Sequence, residues 1–245
     1  MRWRVTLAAG SLAASLGAIG HAQRGEYGRS ATGSDSLFSP TSFAVELRLG
    51  QYPPAIDDEF SGATPYADIF GHQKRFLVGV EVDWQALKQK RLFSVGPGLG
   101  WGMTKMTAGA LLSGGGRAAQ QTSLTIMPVY LVVVGRVDAL SQVHVPVQPY
   151  VKAGLGYGLW WVGDGQRTAS SSGVVGRGSS FGYQFALGAA LNLTALDPDS
   201  AKEMDKTSGI STVGLFVEWY FSRLGSGSQM HIGTSTWMAG VLVEM

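Results

Sequence analysis

The stretch Val145–Gly163, VPVQPYVKAGLGYGLWWVG, decides the fold. Val145, Val147, Val151, Ala153, Leu155, Tyr157, Leu159 and Trp161 fall on one side of a two-residue repeat, and Gln148, Tyr150, Lys152, Gly154, Gly156, Gly158 and Trp160 fall on the other. A period of two is the signature of a strand. The alternation outruns the ~5–6 residues of an ordinary strand and passes the ~9–11 tilted residues that cross a bilayer. One side is wholly apolar, while the other carries a lysine among small residues. That is the pattern of a barrel strand with one face in lipid and one in an enclosed lumen.

The same two-residue rule finds seven more strands. The first begins at Phe43, with Val45, Leu47 and Leu49 outward and Glu46 and Arg48 inward. Phe76–Gln85 puts Val78, Val80, Val82 and Trp84 out and Glu81 and Asp83 in. Leu92–Met103 has an inner row of Gly96, Gly98, Gly100 and Gly102, which no GxxxxGK[ST] follows, so the glycines suit a crowded barrel interior rather than a phosphate loop. Pro97 lies between Gly96 and Gly98 and calls for a bulge, because a closed sheet has no free edge. Ser123–Asp138 points Arg136 inward; Phe181–Leu193, Ile210–Ser222 (Glu218 inward) and Ile232–Met245 complete the set.

Gln51–Lys74, Thr104–Gln121 and Asp164–Ser180 are long connections, whereas Ala86–Arg91 and Ala139–His144 are short. Gln51–Lys74 mixes turn residues with aromatics, as an ordered loop does, and Asp164–Ser180 has the Gly/Ser composition of a mobile one. Within LDPDSAKEMDKTSG, Asp197, Pro198 and Gly209 predict a short helix over Pro198–Lys206. The expected fold is therefore all-β, an eight-stranded antiparallel transmembrane up-and-down β-barrel with one short periplasmic helix. Long loops outside and short turns in the periplasm place both termini in the periplasm of an outer-membrane protein.

Composition agrees with this outline. Glycine makes up 35 of 245 residues, and charged residues only 15 %. After the N-terminus there is no run of 18 apolar residues. Met1–Ala22, with Arg2, Arg4 and an apolar run to Gly20-His21-Ala22, reads as a signal peptide. Gln23–Pro40 follows as a flexible mature N-terminus and residues 41–245 as the barrel. Removing Arg2 and Arg4 leaves bases and acids equal at 17 each, so the charge balance gives no reason to expect nucleic acid. Without cysteine there is no disulfide, thiolate or lipidated cysteine.

Seven inward residues form an expected barrel-interior charge network: Glu46, Arg48, Glu81, Asp83, Arg136, Lys152 and Glu218. A narrow eight-stranded interior is filled by side chains, and enclosed charges of opposite sign are expected to pair. Trp84, Trp161, Trp219 and Trp237 lie toward strand ends on the outward face, as an aromatic girdle requires. Asp57, Asp58, Glu59 and Tyr66 mark the first long connection as the candidate interaction loop. The three adjacent acids lack the spacing of a calcium loop, so no metal site is assigned. No catalytic residue and no cofactor site are assigned either.

Several stretches resemble a family of outer-membrane β-barrel proteins found mainly in myxobacteria: IDDEFSGATPYADIFG (Ile56–Gly71), VGVEVDWQAL (Val78–Leu87), PYVKAGLGYGLWW (Pro149–Trp161), LDPDSAKEMD (Leu196–Asp205), FVEWY (Phe216–Tyr220) and TWMAGVLVEM (Thr236–Met245). That family is similar in turn to eight-stranded barrels of the OmpA/OmpX type. The resemblance implies fold and location, with outer-membrane lipid and the barrel assembly machinery as partners, and it brings no catalytic residues. One departure is the last residue: such barrels usually end in an aromatic that the assembly machinery reads, and this chain ends in Met245.

The leading functional expectation is a structural or interaction scaffold whose extracellular loops meet a partner. The alternatives are a lipid-modifying enzyme, a narrow channel and a soluble ligand-binding barrel. An enzyme needs a nucleophile and a base, and after the signal segment the histidines are His72, His144 and His231.

Overall fold

A computed structural model describes residues 43–71, 75–89, 92–111, 116–143, 145–164, 168–171 and 174–245. The expected signal peptide, the segment Gln23–Pro40, His72 and His144 lie outside the described residues.

Eight strands form the wall: β1 (Phe43–Gln51), β2 (Phe76–Trp84), β3 (Phe93–Leu111), β4 (Arg117–Val137), β5 (Val147–Asp164), β6 (Arg177–Asn192), β7 (Thr212–Leu224) and β8 (Thr234–Glu244). Each pairs antiparallel with the next, and β1 pairs with β8, from Ala44 opposite Glu244 to Gly50 opposite Met238. The sheet is thus a closed eight-stranded antiparallel barrel. Closure leaves no edge strand with unpaired backbone groups.

Alternation decides which side chains go inside. In β2, Leu77, Gly79, Glu81 and Asp83 are buried and their neighbours exposed. In β1, Ala44, Glu46, Arg48 and Gly50 are buried. The charged rows therefore line the interior and the apolar rows face out, as the sequence pattern predicts.

β3 and β4 run further than their apolar alternation suggests. The segment Thr104–Gln121, expected as a long connection, is mostly a continued hairpin: Lys105 pairs with Thr125 and Gly109 with Gln121, and a register shift follows before Leu111 pairs with Arg117. The outward residues Lys105 and Thr107 are polar, so the out-facing apolar signal stops while the ladder continues. Inside, Thr104 and Met106 keep the alternation going.

The prolines sit where pairing lapses on one side. Asp83 faces Gly98 while Leu87 faces Val95, so Trp84, Gln85 and Ala86 stand against Gly96 and Pro97 alone. The bulge that Pro97 requires therefore lies on the adjoining strand. There the backbone comes so close that a Cβ on Gly96 would lie 1.7 Å from the Trp84 carbonyl oxygen. Leu87–Gln89 resumes the β2 side of the ladder beyond this break. Pro128 pairs with Gly158 of β5, on the side away from β3.

At one end of the barrel the connections after β2 and β4 are short turns and the one after β6 carries a helix, while the first and third long connections lie at the other end. The first long connection, Gln51–Lys74, holds a 3-10 turn (Ala55–Glu59) and a second helix absent from the sequence expectation, α1 (Pro65–Phe70). The helix expected over Pro198–Lys206 forms as α2 (Pro198–Ser208) and is followed by Gly209 at φ +71°. In the third long connection Thr168 bridges to Gly163, and Ser170–Ser171 pairs with Val174–Val175 before β6 begins at Arg177.

Candidate functional site: the charged interior and its apolar cap

The seven inward charges meet in the middle of the barrel, each between 0 and 3 % exposed. Lys152 on β5 is the hub. Its Nζ lies 2.6 Å from Glu46 Oε2, 2.6 Å from Glu81 Oε1 and 3.6 Å from Glu218 Oε2. Arg48 on β1 pairs with Glu81 and with Glu218. Arg136 on β4 pairs with Asp83 and reaches Glu46 at 3.4 Å. Five strands are tied together this way, through groups that water does not reach.

Tyrosines complete the network. The Tyr130 hydroxyl donates to Glu81 Oε2 at 2.7 Å and accepts from Arg48. Tyr150 donates to Glu218 at 3.0 Å, and Tyr220 to Gln184 Oε1 at 2.9 Å. The Arg48 guanidinium lies 5.5 Å from the Tyr130 ring and 5.8 Å from that of Tyr220, while Lys152 Nζ lies 4.9 Å from the Tyr150 ring. Sequence reading places Tyr150 inward but singles out none of the three. The available signal was position: each lies on the same inward row as a network charge. The glycine row makes room for them, since a Cβ on Gly100 would lie 2.1 Å from Tyr130 Cζ.

Carboxylate oxygens of Glu46, Glu81 and Asp83 lie within 4.8 Å of one another, a spacing that a metal ion could bridge. Lys152, Arg48 and Arg136 already supply positive charge to all three. Asp83 Oδ1 is left without a hydrogen-bond partner.

Above the charges, toward the loops, the interior turns apolar. Tyr52, Ile56 and Phe70 of the first connection pack with Met106, Leu124, Ile126, Leu224 and Ile232. Tyr52 anchors this cap by donating to the Ile232 carbonyl at 2.6 Å. The first connection thus folds into the barrel mouth, and its candidate residues take different places. Asp57 accepts from the Tyr66 and Ala67 amides at 2.7 and 3.0 Å, closing the start of α1. Tyr66 is half-buried, stacks on Phe70 at 5.4 Å and reaches Met106 Sδ at 3.2 Å. Burial pushes its hydroxyl pKa up, against the opposing charge of Arg75. Glu59 accepts from the His231 amide, and Asp58 is exposed.

The other end of the barrel is open. A cavity of about 470 Å³ lies there, lined among others by Gln85, Lys88, Asp138, Gln148, Asn192 and Glu244. Its amides are engaged: Gln85 donates to Glu244 at 2.9 Å and Gln148 to Asp138 at 2.6 Å.

The four tryptophans all face outward. Trp84 ends β2 at the turn side, and Trp161 lies near the loop end of β5. Trp219 pairs with Trp237 across β7 and β8 and donates to Ser235 Oγ at 3.1 Å. Trp219 sits well inside its strand rather than at its end, because β7 continues to Leu224.

Solved structures similar to this chain include the following three. Neisserial surface protein A aligns with a TM-score of 0.47 at 13 % identity, over 84 % of this chain and 100 % of that one. Ail, the attachment invasion locus protein of Yersinia pestis, solved in complex with the heparin analogue sucrose octasulfate, aligns at 0.44 and 10 %, over 84 % and 97 %. The outer membrane protein OprG of Pseudomonas aeruginosa aligns at 0.44 and 12 %, over 84 % and 96 %. No protein-family model matches the chain, and no curated protein does.

Proposed function

We propose that the chain is an outer-membrane β-barrel that serves as a rigid, charge-locked scaffold for its loops, with both termini in the periplasm and the capped mouth facing outward. One observation carries this reading: large apolar side chains stand exposed around the whole wall. Leu47, Val80, Leu99, Leu131, Leu155, Leu187, Leu215 and Val241, one from each strand, are 38–59 % exposed, while the network charges are enclosed. A soluble monomer does not tolerate so continuous an apolar surface, and lipid requires one. On β3 the outward row is uncharged from Phe93 to Met103, about 33 Å along the strand and about 25 Å of height at the usual barrel tilt.

Outer-membrane lipid, the barrel assembly machinery and an extracellular partner reached through the loops follow from this reading. Asp58 is exposed beside the apolar cap, within a run of exposed residues from Asp58 to Thr64 that is open to such a partner. The resemblance to myxobacterial barrels belongs to the same proposal. The channel alternative has less support, because paired charges and an apolar cap fill the interior in series. The lipid-modifying alternative lacks a triad at His231: Glu218 is committed to Arg48 and Tyr150 deep in the wall. The experiment is membrane fractionation followed by protease shaving of intact cells. The protein is expected in the outer membrane, cut between Asp164 and Ser180, with the Ala86–Arg91 turn protected. Recovery in the soluble fraction, or cleavage at the turn alone, would overturn the reading.

A further inference from the structure

The outward positions carry a charge pattern that the interior network does not explain. Among the described residues of the eight strands, the charged outward positions are Lys105 on β3, Arg117 on β4, Arg177 on β6 and Arg223 on β7. All are cations, and all lie at the loop end. At the turn end the same faces finish in Phe43, Trp84, Phe93, Val137, Val147 and Leu191, without charge. Arg117 is turned to the first connection, where it donates to the Ile69 carbonyl at 2.7 Å. Lys105, Arg177 and Arg223 are exposed and form no ion pair among the described residues.

Lys105 and Arg177 belong to one cross-strand row. Lys105 pairs with Thr125, Thr125 with Trp161, and Trp161 with Arg177. Three strand spacings separate the two cations, about 14 Å. Directly below, Met103, Met127 and Leu159 begin the apolar band. Directly above, Thr107, Ser123 and Gly163 are uncharged. The row therefore marks the height at which the exterior changes from apolar to polar, with an amphipathic indole between two free cations.

We propose that this row binds phosphate-bearing lipid headgroups in the leaflet on the loop side. The inference rests on the membrane reading above and adds a ligand chemistry to it. Cations about 14 Å apart suit two phosphates on one headgroup or on adjacent ones, and the apolar row beneath receives the acyl chains. A dissolved anion would gain nothing from that apolar row, and the one-sided placement of the cations fits a membrane whose two faces differ.

The test uses the full chain inserted in phosphatidylcholine vesicles, with tryptophan emission and the thermal unfolding midpoint as readouts. Insertion into these vesicles examines the membrane reading alone; failure to insert would refute both. Added bis-phosphorylated lipid A is expected to shift the emission and raise the midpoint, whereas dephosphorylated lipid A and inorganic phosphate leave both unchanged. Lys105→Gln and Arg177→Gln are each expected to weaken the lipid A response about fivefold. If the protein inserts but phosphorylated and dephosphorylated lipid A act alike, the headgroup site is disproved while the barrel reading stands. An equal response to inorganic phosphate would identify a soluble anion as the occupant and overturn the proposal, as would unchanged affinity in both variants.

Discussion

Loss of the Lys152 charge would leave three enclosed carboxylates short of a partner. Lys152 touches Glu46, Glu81 and Glu218, all at most 1 % exposed. Lys152→Met keeps the length of the side chain and removes the charge, leaving carboxylates enclosed with less compensation. Removing one partner of a buried ion pair costs about 3–5 kcal/mol. That loss should appear in denaturant unfolding from lipid vesicles. Lys202→Met, which breaks the exposed Lys202–Asp199 contact of α2, should stay within about 0.5 kcal/mol of the parent. Gly100 offers a second test at this scale. A Cβ there meets the Tyr130 ring, so Gly100→Ala must displace a phenol bonded to Glu81 and Arg48. A destabilisation of about 1–3 kcal/mol is expected, and most of it should vanish in a Tyr130→Ala background if ring displacement is the cause. A cost unchanged in that background would point to backbone strain instead.

At the scale of elements, the strands were legible and the cap was not. Alternation alone assigned the faces of Glu46, Arg48, Glu81, Asp83, Arg136, Lys152 and Glu218, because a two-residue repeat fixes every side chain once one face is known. It lost β3 and β4 where Lys105 and Thr107 replace apolar residues, since the outward signal reports the surrounding medium and not the ladder. It could not show that Tyr66 turns into the mouth: α1 spans only Pro65–Phe70, too short for a helical period to declare a buried face. Asp57 read as a surface acid because its partners are backbone amides nine and ten residues away, which side-chain chemistry in the sequence cannot reveal. Its role predicts that Asp57→Ala loosens the cap by about 1–2 kcal/mol, in the range of a lost helix cap. Limited proteolysis between Pro53 and Arg75 should then quicken while barrel tryptophan emission stays the same. Equal cleavage rates would mean that Tyr52 and Phe70 hold the connection without it.

For the molecule as a whole, the deciding question is what solvent the wall meets, and one row can answer it. Leu99, Leu131 and Leu155 lie side by side on β3, β4 and β5, each more than half exposed. Ser123 lies on the outward face of β4 eight residues nearer the loops than Leu131, above the row of Lys105 and Trp161. An arginine at a bilayer midplane costs a transmembrane barrel about 2–4 kcal/mol, and one near the interface about 0–1 kcal/mol. Leu131→Arg should therefore destabilise the folded protein in vesicles by several times as much as Ser123→Arg. In water the order would reverse or disappear, because an exposed leucine gains little from remaining apolar. Neither substitution touches the interior network, so a difference between them reports depth and not charge pairing. Equal, small effects at both positions would mean that the exposed leucines face another protein surface or solvent, and the lipid-facing wall would have to be abandoned.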